Sequence, residues 1–353
     1  NVNGQVELKN TFFDVPLIKN LENSYPNLLD EFIQTYLETT QKLQFDENGF
    51  EEICDALEER ITEKHNEKHY FFTPIYGLDS ISENIELDGV FRIENITSRQ
   101  FDNISNLDIF SGEQTPQIDY DEKRLRCVLV FSSERKNDVT VNPKEKSLDV
   151  LTALRLASKG RIAFGAFYGF EPQNWESDNT IVKKGKAPDW IPNEKYNLSK
   201  SVVEQVQGTL FNLKTLNEKC KEDNIRYIKH AIRRFRYIYR AEFVEDKITD
   251  LIISLETVMS NSPIEIGLNA SLRTAMLMTK NDSETEYYKK FIKKCWSIRS
   301  EIVHGKKRKK KVKKNDHELN DSEIQEELEL IVRSILKKII SLHLEYESQQ
   351  EIL

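Results

Sequence analysis

The residue types and spacing best suited to chemistry stand in one stretch, Trp296-Ser297-Ile298-Arg299-Ser300-Glu301-Ile302-Val303-His304-Gly305. An arginine and a histidine end what reads as a helix, and a lysine run follows at once. At ~100° per residue, Arg299 and His304 stand about 140° apart around such a helix, so they flank a groove and do not stack on one face. Ser300 lies one turn below His304, where its hydroxyl can orient the imidazole. Gly305 falls where a helix C-cap is expected, because glycine takes the left-handed conformation at no steric cost. An always-charged guanidinium beside a group that titrates near neutrality suits phosphoryl chemistry. The arginine stabilises charge on phosphate oxygens and the histidine moves a proton. A bare Arg-x4-His pair also arises by chance in charged helices, so the elements around it must carry part of the argument.

Those elements read as helices. Residues 199–221 form a connecting helix. From Asn224 to Arg240, Ile225, Ile228, Ile232, Phe235 and Tyr239 make an apolar stripe, while Arg226, Lys229, Arg233, Arg236 and Arg240 recur on the opposite side. A cationic wet face is the electrostatic footprint of nucleic-acid binding, and salt bridges to acidic helices elsewhere would explain it equally well. Further helices are expected over Glu242–Met259, with Ile248, Leu251, Ile252, Leu255 and Val258 inward, and over Leu268–Met278, Ser283–Val303 and Ser322–Tyr346. Antiparallel helices with short loops give a bundle. Between the last two lies Lys306-Lys307-Arg308-Lys309-Lys310-Lys311-Val312-Lys313-Lys314, read as a phosphate-binding loop beside the Arg299/His304 pair or as a solvated loop.

Arg299-Ser300-x-x-x-His304-Gly305 resembles the signature of the HEPN superfamily, whose ribonucleases carry Arg-x(4–6)-His with a polar residue after the arginine. The flanks resemble the branch called Apea-like HEPN: Leu255-Glu256 closes one helix, Ser271-Leu272-Arg273 opens the next, and the motif ends a third. The resemblance covers roughly residues 225 to 345. It implies a metal-independent endoribonuclease with no cofactor, in which the bundle forms a homodimer and two motifs face each other across a shared cleft. The ribose 2′-hydroxyl attacks the adjacent phosphate, His304 serves as general base or acid, Arg299 stabilises the phosphorane, and Ser300 orients His304 or the substrate. The products are a 2′,3′-cyclic phosphate and a 5′-hydroxyl. Glu256 matches a family position and is expected to support the site or meet a basic residue. The branch is associated with anti-phage defence and toxin-like growth arrest, which implies a phage-derived trigger or an antitoxin as partner. Some members of the superfamily bind nucleic acid or proteins without cutting, and the alternative is such a module, with an N-terminal region that senses a phage component.

The rest of the chain constrains the surroundings. It has 353 residues, 38% hydrophobic and 31% charged, which suits a globular protein of two or three domains. No apolar run approaches the ~20 residues of a membrane span, and no membrane association is expected. Cys54, Cys127, Cys220 and Cys295 lie far apart with no Cys-x-x-Cys pair, which favours reduced thiols and a cytoplasmic location over a disulfide framework or a zinc site. The net charge is −8, and residues 1–60 hold 13 acidic against 4 basic residues, so the remainder carries +1. Residues 28–43 and 50–64 read as amphipathic helices of an acidic arm, which either shields a basic site or is simply solvated. His65 and His69 are four apart, but Asn66 follows His65, so the metalloprotease pattern is absent and a metal site is not expected.

From Tyr70 the pattern turns to strands. Tyr70–Gly77, Val90–Ile96, Leu125–Phe131 and Arg161–Phe170 are aromatic or β-branched, several with period-two alternation, and Ser147–Leu156 is a short helix. The segment with Trp175, Pro188, Trp190 and Pro192 reads as irregular. The glycines of 160–169 form neither a Gly-x-x-x-x-Gly-Lys nor a Gly-x-Gly-x-x-Gly pattern and suit bulges or close contacts. The expectation is an α+β protein: an acidic helical arm over 1–66, a β-rich sensing or substrate-positioning domain over 67–215, and a helical bundle over 216–353. Its site residues are Arg299, His304 and Ser300, with Glu256 in support. RNA would meet Lys306, Lys307, Arg308, Lys309, Lys310, Arg233, Arg236 and Arg240.

Overall fold

The computed structural model describes residues 68–98, 100–101, 104, 125–134, 142–171, 180–184, 195–260, 266–279, 281–306, 312–314, 317–346 and 349–352. In order, the elements are β1 (Lys68–Tyr76), β2 (Ile85–Glu86), β3 (Phe91–Asn95), β4 (Cys127–Glu134), α1 (Pro143–Ala157), β5 (Ala163–Phe164), β6 (Phe167–Glu171) and β7 (Thr180–Lys184). The helical part follows: α2 (Lys200–Lys219), α3 (Glu222–Tyr237), α4 (Val244–Met259), α5 (Ile266–Met278), α6 (Asp282–Val303), β8 (Val312–Lys314), β9 (His317–Leu319), α7 (Asp321–His343) and α8 (Gln349–Ile352). The chain is α+β. The acidic arm and the residues Lys307, Arg308, Lys309 and Lys310 lie outside the described residues, as does His65, while His69 falls in β1.

Two compact units divide the chain. One comprises 1–74, 90–146 and 165–187, the other 75–89, 147–164 and 188–353. In the first, strands run in the order β3-β4-β1-β6-β7, with β3/β4, β1/β6 and β6/β7 antiparallel. Alternation sends Phe71, Phe91, Phe131 and Phe167 into one ring cluster, Phe71 on Phe131 at 5.5 Å and Phe91 on Phe131 at 5.1 Å. Phe72, Val128, Tyr168, Ala166 and Ile104 form a second cluster. Gly169 faces Phe71 across the ladder, and a Cβ there would collide with that ring. The expected strand over 161–170 is two short strands, interrupted where the Gly165 N–H turns to the Pro74 carbonyl at 2.9 Å. Strand β7 occupies part of the segment that reads as irregular.

The second unit is chiefly helical. The boundary expected near residue 215 falls inside α2, whose Val206, Leu210, Leu213 and Leu216 are buried and which packs on α7. Helices α4 and α7 are its centre: α4 packs against α3, α5, α6 and α7. The apolar stripes are inside as their spacing requires. Ile225, Ile228, Ile232 and Phe235 of α3 and Ile324, Leu328, Ile331, Ile335 and Ile339 of α7 are each at most 6% exposed. Helix α7 opens on a capping box, in which Asn320 accepts from Glu323 N–H at 3.0 Å and Glu323 accepts from Asn320 N–H at 2.8 Å. The residues just past α3 are fixed by a buried polar network. Arg155 of α1 lies over the Tyr239 ring at 4.1 Å and donates to the Ile162 carbonyl at 3.0 Å. Arg333 donates to Tyr239 Oη and Glu329, and Tyr239 Oη donates to Glu329 at 3.0 Å. Burial brings the Arg155 guanidinium down to about 10.

The lysine block runs into structure as well. Val312–Lys314 and His317–Leu319 pair antiparallel, with Lys313 opposite Glu318 and Val312, 1% exposed, opposite Leu319. No described helix is long and apolar enough to cross a membrane. Among the described residues, Cys127, Cys220 and Cys295 form no disulfide.

Candidate functional site around Arg299 and His304

Helix α6 is pinned at its start by Asn281, whose side chain accepts from Ser283 N–H at 3.0 Å. It is held along its length by Phe291, Ile292, Cys295 and Ile298, all buried. That spacing of three and four residues fixes the rotation of the helix and so the direction of Arg299, one position after the last buried residue. The helix ends as glycine at 305 suggests. The Gly305 N–H bonds the Ile302 carbonyl at 3.0 Å and the Lys306 N–H bonds the Glu301 carbonyl at 2.8 Å, with Gly305 at φ +60°. These two bonds are those of a Schellman cap, and they satisfy carbonyls that the helix would otherwise leave open.

His304 is the cap residue itself, exposed, at φ −91° and ψ 7°. This is the sparsely allowed bridge region in which many active-site residues sit. Its own N–H returns to the Ser300 carbonyl at 3.2 Å. The backbone of His304 is therefore held from both sides, and the residue stands exposed at the helix end, as does Lys306 two positions on. Ser300 is half-buried, and its hydroxyl makes no hydrogen bond to His304 among the described residues. The contact between them runs through the backbone, not through the hydroxyl and ring that the spacing suggests.

Arg299 is half-buried, and its Nε is buried with no hydrogen-bond partner among the described residues. Glu256, in the last turn of α4, is the carboxylate that acts on it. A helix C-terminus disfavours a carboxylate, so Glu256 is in an adverse place unless a cation faces it. Burial pushes its pKa up, and the Arg299 charge and a hydrogen bond from the Trp296 indole pull it down. Trp296 is itself seated against Gly267 of α5, where a Cβ would come within 2.8 Å of the indole. Glycine lets α5 approach the ring closely. Arg273 donates to the Met259 carbonyl at 2.8 Å and Gln349 to the Thr257 carbonyl at 3.1 Å, so the end of α4 is closed by side chains from α5 and α8.

Of the expected nucleic-acid contacts, Lys306 lies two positions after His304 in the chain. Arg233 and Arg236 lie on α3, which with α6 packs on α4, and Arg240 lies in the turn just past α3. A groove of about 880 Å³ runs along α3, lined by Arg226, Tyr227, His230, Arg233 and Arg236, by the acidic Glu222 and Asp223 at the start of the helix, and by Thr257 and Gln349 from other segments. Tyr227, His230, Thr257 and Gln349 are absent from the sequence-derived set. Tyr227 and His230 are the immediate helical neighbours of the arginine stripe, and that adjacency is the signal that could have found them. A larger groove of about 1090 Å³ lies along 78–86 and 195–207 and carries the Lys195–Asp79 ion pair at 2.9 Å. It holds none of the motif residues.

Among the described residues, no cluster of histidine, cysteine, aspartate or glutamate is arranged to hold a metal ion. The Arg299/His304 end offers a guanidinium with an unused donor and an exposed imidazole. The chain matches no family model, and comparison with curated proteins and with solved structures returns no match.

Proposed function

We propose that this protein is a HEPN-type endoribonuclease that cuts RNA by attack of a ribose 2′-hydroxyl on the adjacent phosphate. The observation that carries the reading is the end of α6, where an exposed His304 in the bridge conformation and an Arg299 with a free buried donor sit one turn apart. His304 takes the proton from the 2′-hydroxyl, or returns one to the leaving 5′-oxygen; the O2′–P bond forms and the P–O5′ bond breaks. Arg299 neutralises charge on the phosphorane oxygens, where a preorganised donor gives most rate. Glu256, hydrogen-bonded by the Trp296 indole, acts on that guanidinium through its charge, and Lys306 adds positive charge two positions after the histidine. The products carry 2′,3′-cyclic phosphate and 5′-hydroxyl ends.

A homodimer that brings two such ends together fits the surface of α5. Leu268, Leu272 and Met276 recur every fourth residue and are 39%, 36% and 72% exposed, and Val303 beside His304 is 57% exposed. Exposed apolar residues in line on one helix favour a protein contact over water. The biological role we assign is RNA cleavage in bacterial anti-phage defence or as a toxin, with the N-terminal region as sensor. The competing reading, a bundle that binds nucleic acid without cutting, is favoured by the cationic groove on α3. One experiment separates them. Full-length protein, Arg299→Ala and His304→Ala are each incubated with RNA in EDTA, and product ends are mapped. Cleavage by the unaltered protein alone, leaving cyclic phosphate, supports the nuclease; intact RNA in all three, with RNA bound, supports the binding module.

A further inference from the structure

The outer face of α3 carries more positive charge than the fold employs. Arg226, Lys229, Arg233, Arg236 and Arg240 fall within an arc of about 80°, taking ~100° per residue and extending the helical spacing to Arg240. Lys229 pairs with Glu222 of the same helix. Arg234, which lies outside the arc, pairs with Asp250 of α4 at 3.2 Å. Among the described residues, the side chains of the four arginines of the arc have neither an ion-pair nor a hydrogen-bond partner. Asp149 of α1 acts on Arg236 through space, yet burial, with Arg240 and Arg233 adding to it, holds that guanidinium below its ordinary value. Cations crowded in this way repel one another until an anion reaches them.

Beside the arginines stand rings. Tyr227 and His230 line the same groove, at about 100° and 40° from Arg226 around the helix. Tyr227 is held by its hydroxyl against His343 Nδ1 at 3.1 Å and by an edge contact between the two rings. Successive cations of the arc rise roughly 5 Å along the helix, a separation comparable to that of neighbouring phosphates on one strand. Backbone-tracking cations flanked by rings that accept base stacking are the arrangement by which proteins hold single strands. A duplex would offer no unstacked base to Tyr227 or His230.

We infer that the α3 groove is an exosite for single-stranded RNA, in which Arg226, Arg233 and Arg236 follow the phosphates while Tyr227 and His230 take bases. That the strand is RNA rests on the function proposed above; the recognition of a single strand does not. The groove leads to the chemistry. Thr257 lines it, and the preceding residue, Glu256, faces Arg299, so the groove and the Arg299/His304 pair flank the same end of α4. A strand leaving the groove at Arg226 crosses that end to reach His304.

The test is binding of a fluorescein-labelled twelve-residue oligouridylate to full-length His304→Ala, read by anisotropy from 50 to 300 mM salt. Each phosphate contact on a single strand adds about 0.7 to the slope of log affinity against log salt, which is about fivefold in affinity at ~0.1 M. The further change Arg226→Gln with Arg233→Gln lowers the slope by about 1.4 and the affinity about 25-fold. His230→Ala weakens binding at least about fivefold with the slope unchanged, because it removes stacking and no charge. Arg226→Lys with Arg233→Lys restores the slope, which a folding defect would not. Unaltered slope and affinity in the double glutamine variant overturn the exosite. So does tighter binding of a twelve-base-pair RNA duplex, or of phosphatidylglycerol vesicles through the same arginines. Cleavage is scored separately, on protein with His304 intact. Cutting with no contribution from the groove arginines refutes the exosite alone. Groove binding with no cutting refutes the nuclease and leaves the exosite standing.

Discussion

Two glycines of the helical unit make opposite predictions for the same substitution. A Cβ at Gly305 and a Cβ at Gly208 would each meet nothing within 4 Å, so neither Gly→Ala change has a packing effect. Gly208 is an exposed interior residue of α2, where alanine gains about 0.8–1 kcal/mol of helix propensity. Gly305 stands at φ +60°, where a Cβ costs about 1–2 kcal/mol, offset in part by the 0.4–1 kcal/mol that alanine removes from unfolded-chain entropy. The net loss at Gly305 is about 1 kcal/mol. For a unit of roughly 200 residues that is ~2–4 °C in thermal midpoint. Thermal denaturation followed by far-ultraviolet circular dichroism should therefore show Gly305→Ala falling and Gly208→Ala rising by similar amounts. Gly305→Asn should fall less than Gly305→Ala, because asparagine visits the left-handed region more readily. RNA cleavage should drop with Gly305→Ala and stay unchanged with Gly208→Ala, since only the former holds the backbone of His304. A neutral or stabilising Gly305→Ala would refute the Schellman cap and with it the account of how His304 is presented.

Other consequences follow from the same packing. Gly267→Ala drives a methyl into the Trp296 indole, at about 1–3 kcal/mol of overpacking against about 1 kcal/mol of helix gain; a net loss of stability with reduced cleavage is expected, and a more stable, fully active variant would contradict it. Glu256→Gln keeps an acceptor for Trp296 and removes the charge facing Arg299. Cleavage rate should fall about tenfold, equivalent to ~1.4 kcal/mol, with KM for RNA nearly unchanged. His343 is 2% exposed and burial lowers its pKa, so the fold favours its neutral ring. Its contribution is complete above the ordinary value of 6.5 and is lost as pH falls through and below it, at up to ~1.4 kcal/mol per pH unit. His343→Phe should flatten the fall in thermal midpoint between pH 7 and pH 5; an unchanged slope would place the titration elsewhere. Leu272→Glu with Met276→Glu should convert the protein to a monomer in light scattering, and a dimer that persists would put the contact on another face.

The helices around the site were legible because their apolar period is regular and their ends are marked. Ile225, Ile228, Ile232 and Phe235 are inside as their spacing requires, and Gly305 sits where a left-handed residue closes α6. What escaped depends on residues far apart in the chain. Arg155 and Arg333 carry charge inside the fold, a burial that helical spacing does not mark: Tyr239, from the turn after α3, meets both, and Glu329 one turn before Arg333 accepts from it. The β8–β9 hairpin was hidden by lysine, since Val312-Lys313-Lys314 offers one apolar side chain to set its inner face. Helical spacing places Ser300 beside His304 without fixing the rotamers on which a side-chain bond depends. The far wall of the groove, Thr257 and Gln349, belongs to segments that only the tertiary fold brings to α3.

The most direct test of the central claim uses two matched RNA strands that differ by one 2′-deoxyribose at a mapped cleavage site. Attack by the 2′-hydroxyl requires that the deoxy substitution abolish cutting at that bond while neighbouring sites are still cut to cyclic phosphate, with both strands bound equally by His304→Ala. Cleavage at the deoxy position, or products ending in a 5′-phosphate, would contradict the assignment of this chemistry to Arg299 and His304.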